Sequence, residues 1–198
     1  MITIGIELNH VVRDINKQIL KYYSRDIKTL DEDEIDTKDD ISKYCVFESK
    51  HDKNNFIYID YPYEIFGCAK TIEKNLSVMI TNWLSDIENI EDEDIRIVFY
   101  SLYEEALTIQ STYFFLSKTG TRVREVFFPK NPKEIWNHCD VIITANNDIL
   151  KDEIPQDKIL VKIERTFNKN IESAAQLVYS NLSDVIHDEE FFTKLKNL

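Results

Sequence analysis

Residues Ile2 to Asp14 read ITIGIELNHVVRD, and this stretch decides how the rest of the chain is read. Ile2, Ile4, Ile6 and Leu8 form an apolar run, a short polar turn follows, and Val12, Ile15, Ile19 and Tyr22 then recur at spacings of three and four. The first pattern predicts a buried strand, and the second predicts a helix that lays one face on the sheet. Polar residues at such a strand-to-helix turn stand where open α/β sheets bind ligands. Here they are Glu7, Asn9 and His10.

The same alternation continues downstream. Ile95 to Tyr100 (IRIVFY), Val123 to Phe128 (VREVFF), Val141 to Thr144 (VIIT) and Ile159 to Ile163 (ILVKI) read as further strands. Between them, Ala106, Leu107, Gln110 and Phe114 mark a helix, with Ser101 a candidate cap and Gly120 a left-handed stop. Asn131-Pro132 opens a short helix carrying Ile135 and Trp136, and the segments 171–179 and 184–195 are expected to be helical. Strands separated by helices predict an α/β fold: a Rossmann-like parallel sheet flanked by helices.

Residues 24–90 interrupt this order. Ile72, Leu76, Met79, Ile80, Trp83 and Ile87 form a helical stripe, while Asn55 to Tyr61 (NFIYIDY) read as a short strand or extended arm ending at Pro62. The expected organisation is an α/β core, 1–23 and 91–198, with 24–90 as a small, mainly helical insertion. The aromatic run 55–66 (NFIYIDYPYEIF) is a candidate surface for protein partners or self-association, since Tyr and Phe are favoured at interfaces.

Composition narrows the function classes. The chain has 198 residues, enough for one sizeable core, and carries a formal charge of −12 from 36 acidic and 24 basic residues. That field repels a phosphate backbone, so direct nucleic-acid binding is not expected. The segment 31–40 (DEDEIDTKDD) reads as a solvated acidic stretch without the spacing of a calcium loop. Cys45, Cys68 and Cys139 are isolated, with no metal-ligand pattern, which suits a reduced cytoplasmic setting. No apolar run approaches the roughly 20 residues that span a membrane, and no basic-then-apolar leader opens the chain, so a soluble protein without membrane contact is expected.

The opening stretch resembles the haloacid dehalogenase (HAD) superfamily, whose first motif runs from hydrophobic residues into Asp-x-Asp-Gly-Thr/Val-Leu/Val. The matching residues here are Glu7, Leu8, Asn9, His10, Val11 and Val12. In HAD phosphatases the first aspartate attacks phosphorus and the second protonates the leaving group. A Ser/Thr and a Lys hold the phosphoryl oxygens, and late acids help bind Mg²⁺. The resemblance therefore implies Glu7 at the nucleophile position and as a weak metal candidate, Asn9 at the general-acid position, Ser101 and Lys118 as phosphate contacts, and Lys130 as rival to Lys118. In the fourth motif, CDVIITANND places Thr144 and Ala145 where two acids are expected.

These departures have chemical consequences. The extra methylene of Glu7 moves its carboxylate by about 1 Å, and misplacement of that size costs about a hundredfold in rate. The amide of Asn9 does not cycle a proton near neutral pH and instead suits a turn. Asp140 sits at the start of its strand, away from the site, and Ala145 offers Mg²⁺ no side-chain oxygen. His10 is an alternative proton donor, while Asn146, Asn147 and Asp148 supply replacement oxygens only if the turn is rearranged. The resemblance is to the 5′(3′)-deoxyribonucleotidase-like branch with its small helical cap, and FFLSKTG with CDVIITAN is also similar to uncharacterised phage-encoded HAD-like proteins. It implies a HAD-like pseudoenzyme without a cofactor, in a binding or structural role, including a virion or accessory protein in the host cytoplasm. The alternative is a Mg²⁺-dependent nucleotidase-type phosphatase acting on a small phosphate ester. A sensor that binds phosphate compounds without turnover is a third expectation.

Overall fold

The computed structural model describes residues 1–31, 35, 40–88, 95–120 and 125–198. The opening apolar run forms β1 (Ile2–Glu7), and every residue after Ile2 is buried. Burial of both faces is what a central parallel strand requires. Gly5 is needed for a specific close approach, because a Cβ there would lie 2.5 Å from Cys139 Sγ.

The chain then turns through β2 (Arg13–Asp14) into α1 (Ile15–Asp26), where Asp14 Oδ1 accepts from the Lys17 N–H at 3.2 Å and caps the helix. Ile15 and Ile19 are buried as their spacing predicts, and Tyr23 joins them, its hydroxyl donating to the Val46 carbonyl at 2.9 Å.

The segment between β1 and the next strand of the main sheet contains α2 (Lys50–Asn55), two π-type turns (Phe56–Asp60 and Tyr63–Gly67), β3 (Lys70–Thr71) and α3 (Leu76–Glu88). The strand or arm expected at 55–61 is therefore helical. The Tyr61 N–H donates to the Phe56 carbonyl at 3.2 Å, and this five-residue spacing brings the two rings to 4.8 Å between centroids. Phe56 also meets Phe47 and Tyr23, so packing of an aromatic cluster overrides the β-propensity of the run. Lys70–Thr71 pairs antiparallel with β2 and ties the middle of the segment back to its entrance.

Downstream come β4 (Ile95–Tyr100), α4 (Ala106–Thr119), β5 (Val126–Phe127), α5 (Pro132–Trp136), β6 (Val141–Thr144), α6 (Asn147–Leu150), β7 (Ile159–Ile163), β8 (Leu177–Tyr179), α7 (Leu182–Ile186) and α8 (Glu189–Leu195). Gly120 ends α4 with φ 67°, the left-handed stop its position predicts. Ser101 does not cap that helix. The helix begins five residues later, after Glu105, whose N–H donates to Thr108 Oγ1 at 3.0 Å, and this frees the Ser101 hydroxyl for the site. Of the strand expected at 123–128, residues 123 and 124 lie outside the described residues, and 126–127 pair with β4.

The helix expected at 171–179 is instead a loop leading into β8. Leu160 donates to Gln176 Oε1 at 2.7 Å and accepts from the Gln176 N–H at 3.0 Å, so the free edge of β7 draws this segment into the sheet. The helix expected at 184–195 is split in two, with Asp188 capping the second piece by accepting from the Glu190 N–H at 3.0 Å.

The six strands of the main sheet run in the order β5-β4-β1-β6-β7-β8, and every pair is parallel. Counted along the chain, this is a doubly wound 3-2-1-4-5-6 sheet whose direction of winding reverses between β1 and β6. Alternate residues feed two apolar layers. Ile4, Ile6, Phe99, Val141, Ile143 and Val161 join the larger cluster, which also takes in Phe56, Ile57, Ile65 and Phe66 of the inserted segment. Val98, Tyr100, Ile142 and Leu160 face a smaller one with Ile135, Trp136 and Leu150. None of the described helices is long and apolar enough to cross a membrane.

Candidate site at the carboxyl edge of the sheet

Glu7 closes β1, in register with Tyr100 of β4 on one side, while β6 lies on the other side, across the winding reversal. Its side chain is buried. Oε2 accepts from Thr144 Oγ1 at 2.6 Å and from the Ala145 N–H at 2.9 Å. Burial pushes the Glu7 carboxyl up to about 7, against the lowering pull of Thr144, Ala145 and Asn146. Thr144 and Ala145, which stand where acids were expected, thus serve Glu7 as hydrogen-bond donors.

Beside Glu7 lies a second buried group. Asn9 Nδ2 donates to Ser101 Oγ at 3.1 Å, and Arg13 Nε donates to Asn9 Oδ1 at 2.8 Å. Arg13 Nη1 donates to Thr112 Oγ1 at 2.6 Å, while Nη2 forms an ion pair with Glu104 in which both side chains are 0% exposed. The Ser101 and Thr112 hydroxyls each donate to Glu104, one to either carboxylate oxygen. The Arg13 guanidinium packs between the rings of Phe66 and Phe115, at 4.9 and 5.6 Å from their centroids. Burial pulls the guanidinium down and Glu104 pulls it back up. Arginine keeps its proton in proteins, so a charged pair closes the network.

His10 adopts φ 65°, a left-handed conformation, and its carbonyl accepts from Arg165 Nε at 2.9 Å. Burial pushes its imidazole down to about 3, helped by the charges of Arg165, Arg13 and Lys53. The ring is therefore neutral at physiological pH, and the acidic imidazolium proton that would serve a leaving group is absent. Its edge meets Phe167 at 5.0 Å between centroids. The buried Asn168 donates from Nδ2 to the Ala145 and Ile163 carbonyls, both at 3.0 Å, and so fixes the ends of β6 and β7 relative to each other.

The fold therefore gathers Glu7, Asn9, Ser101, Thr144 and Ala145 at one edge. Lys118, in the last turn of α4, donates instead to the Gly67 and Ala69 carbonyls, both at 3.0 Å, and fastens the inserted segment to that helix. Lys130 is exposed in the turn after β5. Asp140 lies at the opposite end of β6, where it accepts from the Thr3 N–H at 2.8 Å and from Lys158 Nζ at 2.6 Å. Asn146 caps α6, and Asp148 accepts from the Tyr103 hydroxyl at 3.0 Å.

This donor set does not fit Mg²⁺, which favours carboxylate oxygens in octahedral array. Glu7 accepts two donors through one oxygen, Asp140 is bonded to Lys158 at the far end of β6, and Asp148 accepts from Tyr103. Among the described residues, no three His, Cys, Asp or Glu side chains converge as metal ligands. The sequence reading missed Arg13, Glu104 and Thr112. The only local signal was a charged residue four positions after Asn9, placed directly behind Val11 and Val12.

No protein-family model and no curated protein matches the chain. Among solved structures it is similar to one titled "Crystal Structure analysis of a Dehalogenase", with a TM-score of 0.53, 12% sequence identity, and coverage of 93% of this chain and 95% of that one. At that identity the likeness speaks for architecture alone: the chain shares with that structure a Rossmann-like α/β fold, a parallel sheet flanked by helices.

Proposed function

We propose that this protein is a HAD-like pseudoenzyme whose former catalytic positions now hold the fold together, and that it serves a non-catalytic binding or assembly role. The observation that carries this reading is the closed network of Asn9, Ser101, Glu104, Arg13 and Thr112. A phosphoryl group needs cations and hydroxyls with free donors. Here the hydroxyls of Ser101 and Thr112 are spent on Glu104, and the guanidinium of Arg13 is neutralised by the same carboxylate.

Glu7 supports the reading independently. Attack on phosphorus requires an ionised carboxylate free to approach, with an acid opposite to protonate the leaving group. A group titrating at about 7 is only partly ionised at neutral pH, and Asn9 supplies no proton. The described part of the insertion around residues 66–71 then acts as a docked wall rather than a working cap, held by Lys118, by the β2–β3 pairing and by Phe66 over Arg13.

The test is hydrolysis of a phosphate-ester panel, nucleotides included, with Mg²⁺ present, for the wild type beside Glu7→Ala. The pseudoenzyme reading predicts no turnover above the variant's background. Turnover that disappears in Glu7→Ala would replace it with a nucleotidase-type phosphatase.

A further inference from the structure

A cleft of about 400 Å³ opens between the turn after β1, the first turn of α1 and the loops that follow β7 and β8. Its volume lies within the range of small-molecule sites, about 300–1,000 Å³. It stands at the carboxyl edge of the parallel sheet, where α/β folds take their ligands. It does not use Glu7.

The walls of the cleft carry two cations and two carboxylates: Arg165 and Lys169, Asp14 and Glu164. Arg165 is held in place by its own backbone surroundings, with Nε on the His10 carbonyl at 2.9 Å and Nη1 on the Glu164 and Ser180 carbonyls at 3.2 and 2.5 Å. Its remaining amino group, Nη2, is buried and has no hydrogen-bond partner among the described residues. What Arg165 offers the cleft it lines is the positive charge of a guanidinium already fixed in place, which attracts a carboxylate. Asp14 caps α1 through Oδ1. Phe167, Ile72 and the ring of His10 supply apolar surface.

Equal numbers of opposite charges discriminate between ligands. A simple anion is attracted by Arg165 and Lys169 but repelled by Asp14 and Glu164, and a simple cation meets the reverse. A molecule bearing both charges close together is attracted by both pairs. We propose that this cleft binds a free α-amino acid as its zwitterion, with the carboxylate on Arg165 and Lys169, the ammonium on Asp14 and Glu164, and the side chain against Phe167 and Ile72.

Thermal unfolding with each of the twenty free amino acids, beside acetate, ethylammonium and inorganic phosphate, tests this directly, because a ligand selective for the native state raises Tm. One or more amino acids should give a saturable rise, and the three probes that carry charge of one sign only should give none. Lys169→Ala removes an exposed side chain, and Asp14→Asn keeps a good helix cap while deleting the charge. Both variants should keep the ligand-free Tm and weaken binding by about tenfold or more, the loss expected for one charged contact. Absence of any amino-acid shift, an equal shift from acetate, ethylammonium or phosphate, or undiminished binding by both variants would overturn the proposal. The hydrolysis assay reads Glu7 alone, so the two proposals fail separately.

Discussion

Arg13 and Glu104, ninety-one residues apart, form an ion pair with both side chains fully out of solvent. The pair joins β2 to the turn that precedes α4, and Asn9, Ser101 and Thr112 bond its remaining polar atoms. Removing one partner strands the other as an uncompensated buried charge.

Arg13→Ala and Glu104→Ala should therefore each lower the unfolding free energy by about 3–5 kcal/mol. Replacing both with Met should recover much of that loss, since a well-packed apolar pair often equals a buried salt bridge. Urea denaturation of the two single variants and the double variant checks this. Additive losses would show that the two side chains do not act as a pair.

Glu7 gives stability a pH dependence of defined sign. Its carboxyl is raised from 4.5 to about 7 in the folded protein, so between those values the native state holds a proton that the unfolded chain has released. The stabilisation is fully present below the unfolded value and is lost as pH rises through about 7, by roughly 3 kcal/mol in total. Unfolding free energies measured from pH 4.5 to 8 should fall more steeply in the wild type than in Glu7→Gln. Parallel curves would rule Glu7 out as the source.

Gly5 should not tolerate a side chain. A Cβ there meets Cys139 Sγ at 2.5 Å, so Gly5→Ala should cost about 1–3 kcal/mol by overpacking. Adding Cys139→Ala should make the double variant more stable than the sum of the two single losses, as measured by a double-mutant cycle. A sum that is merely additive would show that the contact is not the cause.

The sheet was legible in the sequence because central parallel strands are buried on both faces and so read as apolar runs. Ile2–Glu7, Ile95–Tyr100, Val141–Thr144 and Ile159–Ile163 all lie where those runs place them. Segments 55–61 and 171–179 were misread because distant partners decide them. The Phe47–Phe56–Tyr61 cluster winds the first, and the open edge of β7 claims the end of the second.

At the site, the turn residues Glu7, Asn9, Thr144 and Ala145 could be located from motif positions, but their new partners could not. Arg13 meets Glu104 and Thr112 only after the chain folds, and spacing along one sequence carries no record of a contact between such distant turns.

On the proposed pseudoenzyme reading, Asn9 serves structure rather than proton transfer. The most direct test is the unfolding free energy of Asn9→Ala in urea. Loss of the amide leaves Arg13 Nε without its acceptor in the core, so the variant should be less stable by about 1–3 kcal/mol. Unchanged or increased stability, as when a residue kept for chemistry is removed, would contradict the account.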